Sequence, residues 1–242
     1  MTLIGLVRHG QTDWNLAHIF QGASDVPLNA TGVEQAHHAL DSTPEFAWDG
    51  VMSSPLIRAR LTAEVIATDH SLPLIGVHEG FREVDFGWAE GKPSAEAYAA
   101  YPERDFPGRE SVDAVLERAC AAVREVSAQH PDGRVLVVAH GTLIRYLASA
   151  VAQRDFTSLP NTSLTLLEVS PTLWRVPMIA GYSLREPFEW AHEEGALPRF
   201  DLAWDAPSGI DPATLPLAER PALEAYRPTT EKAPSHTTEE SR

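Results

Sequence analysis

Residues Arg134–Ala139 read Arg-Val-Leu-Val-Val-Ala, a run with no polar side chain after its first residue. A strand with one wet face alternates apolar and polar residues, so this run must be covered on both faces. That is the requirement of a central strand in a sheet flanked by helices. Leu3–Val7 is a second, shorter apolar run. Between and after these runs the spacing changes to that of helices. Thr31–Leu40 follows a polar Asn29-Ala30-Thr31 opening, and Pro55–Thr68 sets Leu56, Leu61, Val65 and Ile66 at helical spacing. Ser111–His130 is a long helix with Ser111 as N-cap and Pro131-Asp132-Gly133 as its stop, and Thr142–Val151 is another. Gly50–Ser53, Leu74–Val77, Ser163–Val169 and Leu173–Met178 are further short strands, the last two a closing pair. Strands alternating with helices predict an α/β fold, a three-layer α/β/α sandwich with a mostly parallel central sheet.

The pattern ends near Gly181. Residues 185–242 contain 8 of the 19 prolines, which block long helices and central strands. A catalytic domain is therefore expected over 1–184 and a Pro-rich, acidic extension over 185–242. Thr229–Arg242 reads as disordered, whereas Phe188, Trp190, Phe200, Trp204 and Tyr226 should pack over the body. The 242 residues carry 34 acidic against 19 basic side chains, a formal charge of -15. That balance argues against nucleic acid and anionic membranes as partners. Cys120 is the single cysteine, which excludes an internal disulfide framework and a multi-Cys metal site. Arg8 comes too soon after Met1 for a signal peptide, and no apolar stretch is long enough to span a bilayer. A cytoplasmic location is expected.

Both apolar runs end in the same way. Leu3–Val7 leads into Arg8-His9-Gly10, and Arg134–Ala139 leads into His140-Gly141. Ligands of open α/β sheets bind at the carboxyl ends of strands, so two such histidines can share one pocket. A glycine after each histidine would let backbone N–H groups approach a ligand. Two histidines with arginine suggest an anion, because the guanidinium fork matches phosphate oxygens. Neutral imidazole is a competent nucleophile at phosphorus. A metal site is the rival reading, but adjacent arginines would repel a dication. His37-His38 sits within a helix as surface and core neighbours, with no ligand role.

Several further segments make the sequence recognisable. Arg8-His9-Gly10-Gln11-Thr12-Asp13-Trp14-Asn15 resembles the R-H-G-x-[ST]-x-x-N signature of the histidine phosphatase (phosphoglycerate-mutase-like) superfamily. Gln21-Gly22, Asp25, Pro27-Leu28, Gly32 and Gln35-Ala36 follow in that family's order. Ser53-Ser54-Pro55-Leu56 with Arg58-Ala59 and Thr62-Ala63 matches its second motif, and Arg82–Gly87 with Glu90-Gly91 its acid motif. Gly108, Glu110-Ser111, Val138–Gly141 and Pro160-Asn161 complete the set. The resemblance spans roughly residues 3 to 180. It implies His9 as the nucleophile that becomes phosphohistidine, with Arg8, Arg58 and His140 holding the phosphoryl oxygens. It implies Glu83 as the acid for the leaving alcohol and the base for water. Thr12, Asn15, Gln21 and Gly22 would line the same pocket, with Gly141 beside them. No metal or other cofactor is implied.

Other residues read more plainly. Helical geometry puts Arg58 and Thr62 on one face and Arg60 on another, so Arg60 is a surface residue. Arg82 precedes Glu83 in an expected strand, so its side chain should face the other way. Glu110-Ser111 opens the long helix and also neighbours the site in the family. Arg145 lies one turn after Gly141, where an ion pair suits it as well as substrate does. Cys120 is on an apolar helix face and belongs to the core. Trp14, Trp88, Tyr98, Tyr101 and Phe106 fit either a pocket lid or ordinary packing.

Three functions fit these motifs. One is metal-independent hydrolysis of a phosphomonoester, with a small phosphorylated metabolite as partner. The second is a 2,3-bisphosphoglycerate-dependent phosphoglycerate mutase. The third is a non-catalytic phosphate sensor or scaffold, disfavoured because His9, Arg8, Arg58, Glu83 and His140 are all present. The short path from Glu83-Val84-Asp85-Phe86-Gly87 to Glu110-Ser111 resembles the phosphatase branch. The substrate is not readable, and both monomer and homodimer remain open.

Overall fold

The structure, a computed structural model, describes residues 1–41, 47–198 and 209–216. The first apolar run is strand β1 (Thr2–Arg8) and the strongest run is β4 (Arg134–Ala139). They pair in parallel, with Ile4 level with Val135 and Arg8 with Ala139. β2 (Gly50–Ser53) lies on the other side of β4, and β3 (Leu74–Val77) lies beyond β2, both parallel. β5 (Leu164–Val169), β6 (Leu173–Ile179) and β7 (Tyr182–Ala191) extend the sheet antiparallel, giving the order β3-β2-β4-β1-β5-β6-β7. Connection length explains the change of direction. Parallel neighbours need a crossover, whereas β6 and β7 are joined by Ala180-Gly181, both at positive φ (51° and 86°).

Helices cover both faces, as the continuous apolar strands require. α3 (Ile57–Asp69) packs on one face against Leu3, Val7, Leu136 and Val138, and α2 (Ala30–His37) packs against α3. α5 (Val112–Gln129) and α6 (Gly141–Ala152) pack on the other against Ile4, Leu6, Val135, Val137 and Ala139. Successive residues of one strand thus enter opposite cores. Each such Val or Leu stabilises the fold by about 1.5–3 kcal/mol. The short helices α1 (Asp13–Leu16) and α4 (Ser94–Ala100) belong to loops above the sheet ends. Ser111 caps α5 as expected, its hydroxyl accepting from Ala114 N at 3.2 Å. Cys120 is fully buried on α5, and burial pushes its thiol up to about 12. Among the described residues, no helix is long and apolar enough to cross a membrane.

Three expectations need correction. The closing pair of strands is a three-stranded meander. β7 escapes pattern reading because Arg185, Glu186, Pro187 and Glu189 interrupt it, but it is the sheet's edge, where charge and proline are tolerated. The expected boundary after residue 184 therefore falls inside β7. Arg82 and Glu83 are not in a strand; they follow a 3-10 turn (Glu79–Phe81) in irregular backbone. There the carbonyls of Gly80, Arg82 and Glu83 accept from Arg118 instead of a neighbouring strand. His37 and His38 form the exposed C-terminal end of α2, and neither is core. They lie 2.6 Å from Asp69 and 2.7 Å from Asp41, respectively.

Beyond β6, Phe188 packs 5.9 Å from Phe156 and Trp190 packs 5.9 Å from Trp174, centroid to centroid. Phe200, Trp204, Tyr226 and Thr229–Arg242 lie outside the described residues.

Candidate active site

Because β1 and β4 are adjacent and in register, His9 and His140 leave the sheet side by side. Their ring centroids are 5.2 Å apart, tilted by 57°. Both rings are buried. His9 Nδ1 lies 2.7 Å from Gly10 O. A carbonyl only accepts, so Nδ1 carries the proton and Nε2 keeps its lone pair. Burial holds the His9 pKa well below 6.5, with Arg58 and Arg8 adding to the effect against the Gly10 hydrogen bond. His140 is lowered in the same way, by burial and then by Arg58. Its Nε2 is 2.7 Å from Ser54 Oγ, and its buried Nδ1 has no protein partner.

Arg8 and Arg58 come from different elements; Arg8 is half-buried and Arg58 only 1% exposed. Arg8 donates to Leu159 O. Arg58 donates to Gly22 O and Ser24 O, both at 2.8 Å. In each arginine the buried Nε has no protein partner. Burial lowers the Arg58 pKa to about 10, partly offset by Glu83, so its charge persists at neutral pH. Arg60 is exposed.

Glu83 reaches the site from the irregular segment after the 3-10 turn. Its Oε2 accepts from Thr142 N at 3.2 Å, and its Oε1 from Leu143 N at 3.1 Å and Val84 N at 3.0 Å. The carboxyl group thus sits on the first turn of α6, whose free N–H groups fix its position. Arg118 fixes this segment from behind. Besides the three carbonyls, it holds Glu110 through two bonds of 2.7 and 2.9 Å, and Glu110 also accepts from Asp85 N at 3.3 Å. Glu110 is therefore a support of the acid's loop.

A cavity of about 440 Å³ opens here, lined by Arg8, His9, Asn15, Gln21, Gly22, Arg58, Glu83 and Gly141. His140 is fully buried behind that wall. Ile19, Phe20, Phe86, Tyr98 and Phe156 form much of the remaining wall, with Arg145, Thr157 and Ser158. Tyr98 and Phe106 are both part of one aromatic cluster around Phe20, so lid and packing are the same structure. Thr12 is not on the wall. It is buried behind it, capping α1 and donating to Gln21 Oε1 at 3.0 Å. Gly10 also differs from expectation. Its N–H goes to Thr62 Oγ1 at 3.0 Å, and its lack of a side chain admits Gly32 O, 2.2 Å from where a Cβ would stand.

The remaining supports carried no role at the level of sequence. Glu90 accepts from Ala23 N, Ser24 N, Ser24 Oγ and Phe86 N at 2.7–3.1 Å, clamping the loop that Arg58 holds from the other side. Gly22 stands at φ 51° in that loop, with Glu90 Oε1 where a Cβ would be. Asn161 donates to His9 O at 2.9 Å. Glu90 and Asn161 lie within the motifs, but most of their partners are backbone atoms that only the fold supplies.

The depressed histidines have a consequence for stability. The native His9 ring stays neutral while the unfolded ring protonates below about 6.5. The unfolded state then binds more protons, so stability falls as pH drops from 6.5 toward the native value. Urea unfolding between pH 6.5 and 5 should show the unchanged chain losing more stability than His9→Asn, with the difference steepening toward about 1.4 kcal/mol per pH unit at the acid end. Parallel slopes would mean that His9 is not held neutral.

Comparison with known proteins agrees with this geometry. Residues 4–180 match the family described as Histidine phosphatase superfamily (branch 1). The chain is 38% identical over 180 residues to a Bacillus subtilis (strain 168) protein described as uncharacterized phosphatase PhoE, covering 73% of this chain and 93% of that one. It is 33% identical over 162 residues to a 2,3-bisphosphoglycerate-dependent phosphoglycerate mutase of Cytophaga hutchinsonii, covering 61% and 76%. Among solved structures, the mycobacterial glucosyl-3-phosphoglycerate phosphatase complexed with VO3 is similar at a TM-score of 0.61 and 28% identity, covering 72% of this chain and 96% of that one. With the match running from the first strand to the turn before β7, the chain belongs to branch 1 of the histidine phosphatase superfamily.

Proposed function

We propose that the chain hydrolyses a small phosphomonoester in two steps through a phosphohistidine at His9, without a metal. One observation carries the reading. A neutral His9 with a free Nε2 lies among three buried nitrogens that lack protein partners: Arg8 Nε, Arg58 Nε and His140 Nδ1. Unpaired buried donors are costly unless a ligand completes them, and phosphoryl oxygens are suitable acceptors. If the Ser54 hydroxyl donates to His140 Nε2, His140 Nδ1 carries the proton and joins the two arginines as a donor.

In the first step the His9 Nε2 lone pair attacks phosphorus and the P–O bond to the alcohol breaks. Glu83 supplies the proton to the departing oxygen. Gly10 O steadies the Nδ1–H of the phosphorylated ring. In the second step water attacks phosphorus, Glu83 takes its proton, and the P–N bond breaks to restore neutral His9. Arg8 and Arg58 offset the charge on the transferred group, the role that a metal plays elsewhere. Beyond them Ile19, Phe20, Phe86, Tyr98 and Phe156 alternate with Thr157 and Ser158, a mixed wall that suits a carbon-rich leaving group with polar substituents.

Rapid acid-free quenching after mixing with a ³²P-labelled monoester should trap label on the chain, stable to base and labile to acid. His9→Ala should trap none. Interconversion of phosphoglycerates that depends on 2,3-bisphosphoglycerate and outruns phosphate release would overturn hydrolysis in favour of the mutase. A folded chain that turns over no member of a broad monoester panel would favour the sensor.

A further inference from the structure

The wall formed by Phe156, Thr157 and Ser158 is built differently from the rest of the cavity. These residues lie on the connection between α6 and β5, and Phe156 is buried. Their backbone does not belong to the main sheet. Instead, Phe156 forms a parallel bridge with Ile210. Ile210 N donates to Asp155 O at 2.8 Å, and Thr157 N donates to Ile210 O at 3.1 Å. Gly209 makes the approach close. A Cβ there would stand 2.9 Å from Phe156 C and 3.0 Å from both Phe156 O and Thr157 N.

The bracing segment is itself anchored. Asp211 caps the 3-10 turn Pro212–Thr214, accepting from Ala213 N at 3.0 Å. Ile210 and Leu215 pack against the main core, and Arg185 N on β7 donates to Pro216 O at 2.9 Å. β7 also carries Phe188, whose ring lies against Phe156. Both braces lie beyond residue 180, where the family match ends. The phosphoryl end depends on it less. His9, Arg58, Glu83 and His140 are held by Gly10, Gly22, Ser24, α6 and Ser54, all within the matched region, and only Arg8 reaches the braced connection, at Leu159 O.

We infer that residues 209–216 are a specificity-positioning element: they hold Phe156–Ser158 at the cavity and so set which leaving groups fit, while the family body performs the chemistry. This rests on the phosphatase reading. The favoured leaving group is bulky, with an apolar face for Phe156 and hydroxyl or similar polar groups for Thr157 and Ser158. Within such a pocket, small displacements of a wall change discrimination more than they change the reacting atoms.

The test uses the full chain, Gly209→Ala, and a second full-length variant, Asp211→Ala, which removes the cap of the 3-10 turn. 1-Naphthyl phosphate probes the wall, and inorganic phosphate, as a competitive inhibitor, probes the phosphoryl end alone. Both variants should raise KM for 1-naphthyl phosphate about tenfold with kcat changed far less, and shift the inhibition constant of phosphate less than twofold. Equal weakening of both probes would make the segment a general stabiliser and overturn the proposal. So would unchanged KM in both variants. If the unchanged chain hydrolyses nothing, the phosphatase reading fails by itself. Calorimetric binding of the same two probes then decides the role of the wall, by the same tenfold against twofold contrast.

Discussion

His9→Ala should lower kcat on any phosphomonoester by about 10⁴-fold or more, with the fold retained. The size follows from the two-step path. Without the imidazole, phosphorus can be attacked only by water, and no other side chain stands in its place. His140 is the nearest imidazole, at 5.2 Å between centroids, but its Nε2 is engaged with Ser54. Arg8 and Arg58 would still bind the phosphoryl group, so inorganic phosphate should retain an affinity within an order of magnitude of the unchanged chain. Stopped turnover with retained phosphate binding separates loss of the nucleophile from loss of the site. The His9 ring hydrogen-bonds to the adjacent Gly10 O, so its removal breaks no long-range tie of the fold, and unfolding curves near pH 7 should show no large destabilisation. Near-full turnover by the folded variant would refute a phosphohistidine path. A loss of phosphate binding equal to the loss of turnover would point to collapse of the cleft instead.

The parts of this site that could be read from the sequence are those fixed by strand ends. A continuous apolar run must be central, central strands end in the ligand crevice, and His9 and His140 stand at two such ends. The family motif implies Arg58, and helical phase then sets Arg60 on another face. The supports were not readable, for a common physical reason. Arg118 binds three carbonyls, Glu90 binds three amides and Asn161 binds one carbonyl, and backbone groups have no sequence identity to match. The same holds for the wall at Phe156–Ser158, whose partner is the backbone of Ile210. β7 was missed for a different reason. Edge strands tolerate the charges and proline that pattern reading takes as the end of a sheet. The net charge of -15 was also a poor guide to the ligand, since the cleft gathers Arg8 and Arg58 into a local field opposite in sign to the whole.

Glu83→Gln tests the acid, and its effect should depend on the leaving group. For an alkyl monoester such as glycerol phosphate, the departing alkoxide needs a proton, and kcat should fall by about 10²- to 10⁴-fold. p-Nitrophenolate leaves without one, so its P–O bond should still break rapidly. The second step is different, because water needs a base whatever alcohol has left. Phosphohistidine should therefore accumulate, giving a burst of about one p-nitrophenolate per chain followed by slow steady release. The substitution is nearly isosteric, and the glutamine carbonyl can still accept from Leu143 N on the first turn of α6. What it cannot do is donate an acidic proton or take one from water. Equal slowing of both substrates with no burst would show that Glu83 only shapes the pocket. An unaltered rate on the alkyl ester would remove it from the proton path altogether.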